Sequence, residues 1–481
     1  MTMKKTILLS LVLSFALHFS LDARVKLPAV LSDNMVLQQQ SEVKLWGKAE
    51  PRSIVVVRPS WNGYQYSKQA DKNGDWEVKV PTPEAGGPYS IRISDGEEIL
   101  LNNVLIGEVW FCSGQSNMEM PLEGFHRQPV DGSNDAIAKA KPTVPIRFFS
   151  ADTQVYGGER QFSKVAQTDC VGQWSENTPE AAARTSAVGY FFARYLQEVL
   201  DVPVGIIVSS WGGSHVEAWM SRETLAAFPS VDLSILDNDV VIDNPTDKPC
   251  VLYNAKLAPL NDYVVKGFLW YQGESNRHNA DLYVDLMPAF VKQIRQDRQQ
   301  SELPFYFVQI APYNYEGADG TSAARLREAQ EQNWKDIPHS GMVTTGDIGH
   351  PEFIHPTDKQ TVGKRLAYWA LGDTYNKKGF EYIPPTYKSM EVSGNKIYVN
   401  FHHAERGISP MWTALPGFEI AGADLVFHPA EAEIETQTAR LAVHSDRVPN
   451  PVAVRYAYKN YVPASIFSVN GLPVAPFRTD K

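Results

Sequence analysis

Residues 106–118 have the sequence IGEVWFCSGQSNM, in which an apolar run is followed by glycine and a group of polar residues. The run from Ile106 to Cys112 is typical of a buried strand, and a helix is expected after the polar group. A serine at such a turn exposes its hydroxyl, and its N–H can serve as an oxyanion donor, so Ser116 is a candidate nucleophile. The alternative interpretation is a helix N-cap, a position that serine often occupies.

Strand and helix patterns alternate after this stretch. Apolar runs of strand length are separated by segments in which apolar residues recur at helical spacing. Alternating strands and helices imply an α/β fold with a largely parallel sheet and helices on both faces. The further predicted strands are residues 204–208, 267–271 and 305–310, and the predicted helices are residues 186–200, 282–298, 323–334 and 359–370.

The segments on either side of this region have a different pattern. Before residue 105, short alternating runs such as Val43 to Trp46 are separated by turn formers, which is typical of antiparallel strands. The same pattern returns near residue 376. We therefore expect a β-rich domain over 24–104, an α/β domain over 105–375 and a second β-rich domain over 376–481.

The N-terminus has the pattern of a signal peptide. Two lysines precede an apolar run from Ile7 to Phe19, and the small residue Ala23 follows shortly after it. A membrane anchor is the alternative, but the run is interrupted by polar residues and is shorter than the ~20 apolar residues that a span needs. The sequence predicts cleavage of residues 1–23 and an exported protein, periplasmic or secreted, with no membrane association after cleavage.

Composition excludes several classes of protein. The chain has 481 residues, of which 43% are hydrophobic and 21% charged, which is the balance of a globular protein. It carries 45 Lys and Arg against 55 Asp and Glu, a net charge of −10, so it lacks the basic excess that nucleic-acid binding requires. Its three cysteines include no CxxC pair, which excludes a disulfide framework or a zinc finger.

Four motifs in the α/β region resemble those of one enzyme family. They are GQSNM at 114–118, SSWGGSHVEAW at 209–219, WYQGESN at 270–276 and IHPTDKQTVGKRLA at 354–367. Their order and spacing are similar to those of the sialate O-acetylesterase family, within the wider SGNH hydrolase group. The resemblance implies an SGNH-hydrolase-like (flavodoxin-like) three-layer α/β domain with a largely parallel sheet, flanked by β-rich N- and C-terminal segments.

The resemblance also implies roles for individual residues. Ser116 matches the nucleophile and His355 the general base. The second motif would donate a glycine N–H to the oxyanion, from Gly213 or Gly212, and the third would add the side-chain amide of Gln272. The asparagines of the first and third motifs would contact the substrate; they are Asn117 and Asn276.

The third member of the triad has several candidates. Glu352 lies three residues before His355, where the general SGNH pattern has an aspartate. Asp347 and Asp358 are alternatives, and a Ser–His dyad steered by a backbone carbonyl is also open. A metal cluster of His350, Glu352, His355 and Asp358 competes with these interpretations, but its spacing is not that of an HExxH zinc site. We therefore expect no metal and no cofactor.

The function that the resemblance implies is O-deacetylation of glycans through an acetyl-serine intermediate. The expected substrate is an O-acetylated sialic acid, and acetylated xylan or another acetylated polysaccharide is the alternative. A different class would be a non-catalytic glycan-binding protein that holds sugars on aromatic side chains such as Trp61, Tyr64 and Tyr66. The presence of both Ser116 and His355 favours the enzyme.

Overall fold

The computed structural model describes residues 25–151, 161–410, 414–435 and 440–480. The predicted signal peptide, residues 1–23, lies outside the described residues. Within these ranges, no helix is both long enough and apolar enough to cross a membrane.

Mostly antiparallel strands form the first part of the described chain. They are β1 (Val36–Gln38), β2 (Glu42–Lys48), β3 (Ile54–Pro59), β4 (Tyr66–Gln69), β5 (Asp75–Pro81), β6 (Gly86–Ser94) and β7 (Glu98–Gly114). β2 pairs with β5, while β6 pairs with β3 and with the first half of β7. β7 is 17 residues long and continues into the α/β region, so the boundary expected between residues 104 and 105 falls inside a single strand.

Helices and strands alternate in the α/β region. Its elements are α1 (Ser116–Glu119), α2 (Ser133–Ala138), β8 (Ile146–Ser150), β9 (Trp174–Glu176), α3 (Pro179–Arg184), α4 (Ala187–Leu200), β10 (Val204–Ser210), α5 (Arg222–Leu225), β11 (Gly267–Tyr271), α6 (Ala280–Asp297), β12 (Phe305–Val308), α7 (Ser322–Asp336), β13 (Ser340–Val343) and α8 (Lys359–Trp369). The strands lie in the order β13-β12-β11-β7-β10-β8-β9, and all pairs are parallel except β8 with β9. The largely parallel sheet predicted from the sequence is therefore present.

The central strands send alternate side chains into two different cores. On β7, Val109 and Phe111 belong to one core, whereas Trp110 and Cys112 belong to the other. Helices α6 and α7 contribute to the first core, and α4 and α8 to the second. Because both faces are covered, these strands are buried at every position within the central sheet and are mostly apolar there.

The two β-rich segments relate differently to the α/β region. Val55 and Val57 of β3 belong to the same core as Val109 and Phe111, so the N-terminal strands share a core with the central sheet. The C-terminal strands have a core of their own. They are β14 (Thr386–Ser393), β15 (Lys396–His402), β16 (Ile408–Pro410), β17 (Phe418–Ala421), β18 (Phe427–Pro429), β19 (Glu431–Ile434), β20 (Leu441–His444), β21 (Ala453–Tyr456), β22 (Ile466–Ser468) and β23 (Phe477–Arg478).

Candidate active site

Ser116 lies at the carboxyl end of the central strand β7, as the first residue of α1. The chain reaches it through Gly114, which has φ +141° and lies so close to β11 that a Cβ would be 2.1 Å from the Tyr271 carbonyl oxygen. Gln115 N–H then donates to that same oxygen at 2.9 Å. Ligand sites of open α/β sheets form at this edge, where neighbouring connections diverge. Among the described residues, no hydrogen-bond acceptor faces the Ser116 N–H, which leaves it available to a ligand.

The loop that carries His355 is joined to the loop that carries Ser116 by a contact between their neighbours in the chain. The Asn117 side-chain nitrogen Nδ2 donates to the carbonyl oxygen of Ile354 at 3.2 Å. The residue after the candidate nucleophile therefore touches the residue before the candidate base. The sequence motifs at 114–118 and 354–367, which are more than 230 residues apart, meet at this contact.

The imidazole of His355 is held by a short turn. Its Nδ1 lies 2.5 Å from Gln128 Oε1, and its ring meets the edge of the Phe125 ring with centroids 5.3 Å apart. Phe125 and Gln128 exchange backbone hydrogen bonds of 3.0 and 2.9 Å, which close the turn and fix both side chains. An amide oxygen only accepts, so Nδ1 carries the hydrogen and Nε2 presents its lone pair. That is the tautomer that a general base requires.

The imidazole is neutral over most of the pH range. Burial, and after it the charge of Lys359, lower the pKa of His355 from 6.5 to about 4. A carboxylate on Nδ1 would act in the opposite direction, because it favours the protonated ring. The low pKa therefore agrees with a neutral amide as the partner of Nδ1.

The pH dependence of turnover follows from this pKa. His355 must be unprotonated to act as a base, so kcat/KM should stay constant from pH 7 down to about 5 and fall to half near pH 4. The profile is obtained by measuring acetate release from a neutral acetate ester at each pH. An acid limb near 6.5, the ordinary value for histidine, would contradict the environment described here.

The three carboxylates considered for the triad lie elsewhere. Asp347 accepts two hydrogen bonds from Arg365, at 2.8 and 2.7 Å, and Asp358 caps α8 by accepting from Thr361 N–H at 2.9 Å. Glu352 is exposed, and its backbone N–H donates to His350 Nδ1 at 3.1 Å. The group on Nδ1 of His355 is thus Gln128 and not Glu352. The sequence carried no signal for Gln128, which is 227 residues away from its partner.

The candidate oxyanion donors differ in whether they already donate a hydrogen bond within the protein. The Gly212 N–H donates to the Glu119 carboxylate, and a Cβ on Gly212 would be 3.4 Å from that of Ser116. The Gly213 N–H, on the adjacent residue, has no acceptor within the described part of the chain. Gln272 is fully buried, and its Nε2 donates hydrogen bonds to the Ser214 carbonyl and to Asn276 Oδ1, at 3.0 and 2.6 Å. The donors of Gly212 and Gln272 are thus already used within the protein, whereas the Gly213 N–H has no acceptor among the described residues.

The two asparagines expected to contact substrate are buried in the scaffold. Asn276 accepts from Val216 N–H and donates to Glu217, at 3.0 and 2.9 Å. Asn117 is fully buried, and both ends of its amide have protein partners. In this arrangement neither amide faces the open side of the site.

Two charged groups near the site were not singled out in the sequence. Glu274 and Lys359 are buried, with exposures of 2% and 0%, and both contact Asn117. The sequence did carry a signal for these two residues, since they lie within the motifs at 270–276 and 354–367.

No group of three or more His, Cys, Asp and Glu side chains in the described ranges could hold a metal ion.

Of the aromatic residues considered for sugar binding, Trp61 and Tyr66 are partly buried. Trp61 packs edge-on against Tyr89 with centroids 5.7 Å apart, and its indole N–H donates to the Pro81 carbonyl. Tyr66 accepts from Asn62 at 3.0 Å, and Tyr64 is exposed.

Known proteins resemble this chain over most of its length. A family model described as carbohydrate esterase, sialic acid-specific acetylesterase, matches residues 106–371. The sialate O-acetylesterase of Mus musculus is 27% identical, with 93% of each chain covered, and that of Homo sapiens is 28% identical over 90% of this chain and 87% of its own.

A solved structure extends the likeness to the fold. It is that of a carbohydrate acetylesterase from Xanthomonas citri, 36% identical, with a TM-score of 0.85, covering 95% of this chain and all of its own. Because the family model covers more than half of the chain, and this relative nearly all of it, the chain belongs to the carbohydrate esterase family of sialic acid-specific acetylesterases and is a carboxylic ester hydrolase.

Proposed function

We propose that this protein is an exported serine esterase that removes O-acetyl groups from glycans, with O-acetylated sialic acids as its substrates. The observation that carries the proposal is the Asn117 contact that brings the Ser116 and His355 loops together at the carboxyl end of the sheet. The domain is of the SGNH-hydrolase type, with the sheet as the middle of three layers. Export rests on the signal-peptide pattern of residues 1–23.

The first half-reaction forms an acetyl-enzyme. Nε2 of His355 takes the proton of the Ser116 hydroxyl as Oγ attacks the acetyl carbonyl carbon. The N–H groups of Ser116 and Gly213 stabilise the negative charge that develops on the carbonyl oxygen. His355 then gives its proton to the sugar oxygen as the ester bond breaks, so the sugar leaves as an alcohol.

The second half-reaction regenerates the enzyme. His355 takes a proton from water, the resulting hydroxide attacks the acetyl-serine, and the same N–H groups hold the second oxyanion. The proton returns to Ser116 Oγ as acetate leaves. Gln128 keeps Nδ1 protonated throughout both steps and so directs Nε2 to the reacting atoms. The mechanism uses only groups of this chain and needs no metal or cofactor.

A neutral acetylated polysaccharide, such as xylan, is the second candidate substrate. The observation in its favour is that the Xanthomonas citri relative, described only as a carbohydrate acetylesterase, is 36% identical, against 27% and 28% for the mouse and human sialate O-acetylesterases. Ser116, His355 and Gly213 would have the same roles on either sugar.

A substrate panel tests the proposal. We expect acetate release from O-acetylated sialic acids with a kcat/KM at least tenfold above that for acetylated xylan oligosaccharides, with p-nitrophenyl acetate as a reference ester. The reverse preference would identify the neutral glycan as the substrate. If no ester of the panel released acetate, a glycan-binding protein would become the better interpretation.

A further inference from the structure

A cluster of three buried polar side chains lies beneath the candidate active site. Asn117 Oδ1 accepts from the Lys359 ammonium at 2.5 Å, and Asn117 Nδ2 donates to Glu274 Oε1 at 2.6 Å. All three residues are at most 2% exposed. Because lysine only donates and a carboxylate oxygen accepts, these two neighbours fix which end of the amide faces each of them.

The cluster joins the three elements that carry the site. Asn117 is in α1 next to Ser116, Lys359 begins α8 shortly after His355, and Glu274 follows β11. With its amide oriented in this way, Asn117 Nδ2 also reaches the Ile354 carbonyl at 3.2 Å. A single amide thus spans the gap between the nucleophile helix and the loop of the base.

Keeping this cluster buried is energetically costly. Burial lowers the pKa of Lys359 to about 7 and raises the pKa of Glu274, and each effect is opposed in part by the charge of the other residue. Glu274 Oε2 has no hydrogen-bond partner among the described residues. Apolar residues of similar size often stabilise a fold as well as a buried ion pair does, so stability alone gives little reason for this cluster.

We propose that Asn117 and Lys359 are positioning residues, in which Lys359 orients the Asn117 amide and the amide sets the place of the His355 loop relative to Ser116. This inference rests on the proposed function of Ser116 and His355. It reassigns Asn117 from the substrate to the scaffold of the site. The Lys359 ammonium has a second effect, since its positive charge disfavours protonation of His355.

The charged and titratable groups around the ammonium come from every element packed on it. They are Glu274 from the loop after β11, Asp358 and His355 from the segment before α8, and Tyr271 of β11, whose ring centroid is 5.8 Å from Nζ. Glu274 and Asp358 favour the charged lysine, whereas burial disfavours it.

Three variants of the full-length protein test the inference. Lys359→Met removes the donor and the charge, Lys359→Gln keeps a donor without the charge, and Asn117→Ala removes the bridging amide. We expect Lys359→Met and Asn117→Ala to lower kcat on p-nitrophenyl acetate about tenfold with KM within about twofold, because the reacting groups are misplaced while substrate contacts remain. The acid limb of kcat/KM should move to higher pH in both Lys359 variants, and Lys359→Gln should recover part of kcat.

Lys364→Met is the matched control, since Lys364 lies on the same helix α8 and is half-exposed. It should change neither kcat nor the acid limb. A folded Lys359→Met or Asn117→Ala protein with wild-type kcat and an unmoved acid limb would overturn the inference, and if Lys359→Met does not fold, Asn117→Ala decides alone. Failure of the proposed function itself would be seen separately, as activity that survives Ser116→Ala.

Discussion

Replacing Ser116 with alanine should lower kcat by at least ~10⁴-fold while the protein stays folded, because the change deletes the attacking oxygen and little else. The hydroxyl is at the first position of α1 and makes no hydrogen bond within the described ranges, so its loss should alter the free energy of unfolding by less than about 0.5 kcal/mol. Turnover of p-nitrophenyl acetate and a thermal unfolding curve measure the two effects.

A second serine, Ser214 in the motif at 209–219, provides the comparison. Ser214 is fully buried, accepts from the Trp219 indole at 2.8 Å and donates to the Trp211 carbonyl at 2.7 Å. Ser214→Ala should therefore reduce stability by about 1 to 3 kcal/mol, because a buried donor loses its acceptor, while the folded fraction keeps its kcat. Near-normal turnover by a folded Ser116→Ala protein would mean that another group is the nucleophile.

The parts of the fold that the sequence predicts well are those fixed by local pattern. The strand at 267–271 and the helix beginning at Lys359 were predicted to within a residue, because an uninterrupted apolar run and a strong N-cap mark them. β8, β9 and β13 were not predicted. Their sequences, IRFFS, WSE and SGMV, contain no uninterrupted apolar run, and the sheet that stabilises them is assembled from distant parts of the chain.

At the site, too, residues within a local sequence motif could be predicted, whereas contacts between distant parts of the chain could not. Motif spacing predicts Ser116 as the nucleophile and His355 as the base, because each lies in a run of residues with its own pattern. The position of a carboxylate three residues before His355 suggested Glu352, but a loop of that length does not determine which side chain turns toward the ring. The turn at residues 125–128 is closed by backbone hydrogen bonds between its first and last residues. Its contact with His355, through Gln128 Oε1 and Nδ1, is seen only in the folded chain.

Gln128→Ala should also lower kcat, because Gln128 positions the ring of His355. It leaves Nδ1–H without its acceptor, so the ring loses both its orientation and its preference for the reactive tautomer. A hydrogen bond of this kind is worth about 1 to 3 kcal/mol when a buried partner is left unpaired, which corresponds to a loss of about 5- to 150-fold in kcat. A triad carboxylate can contribute a factor of ~10⁴ to kcat. A smaller loss is expected for Gln128, because a neutral amide does not stabilise the positive charge of the imidazolium.

Glu352→Gln is the control for that assignment, because Glu352 is exposed and donates only its backbone N–H to His350. Its kcat should stay within about threefold of the wild type, as is usual for exposed sites. A tenfold loss in Glu352→Gln together with normal turnover in Gln128→Ala would return the orienting role to the carboxylate that the sequence suggested.

Gln128→Glu separates orientation from charge. The glutamate keeps an oxygen acceptor for Nδ1–H, so the tautomer is retained, but its negative charge stabilises protonated His355 and raises the pKa of the ring. The acid limb of kcat/KM should therefore move upward from about 4, because the ring of the resting enzyme becomes protonated at a higher pH. At pH 8, where the ring is neutral in both proteins, the added charge stabilises the imidazolium formed in the transition state, and kcat should be equal to or greater than that of the wild type. If the acid limb did not move, the carboxylate would not be in contact with His355, and the assignment of Gln128 to Nδ1 would fail with it.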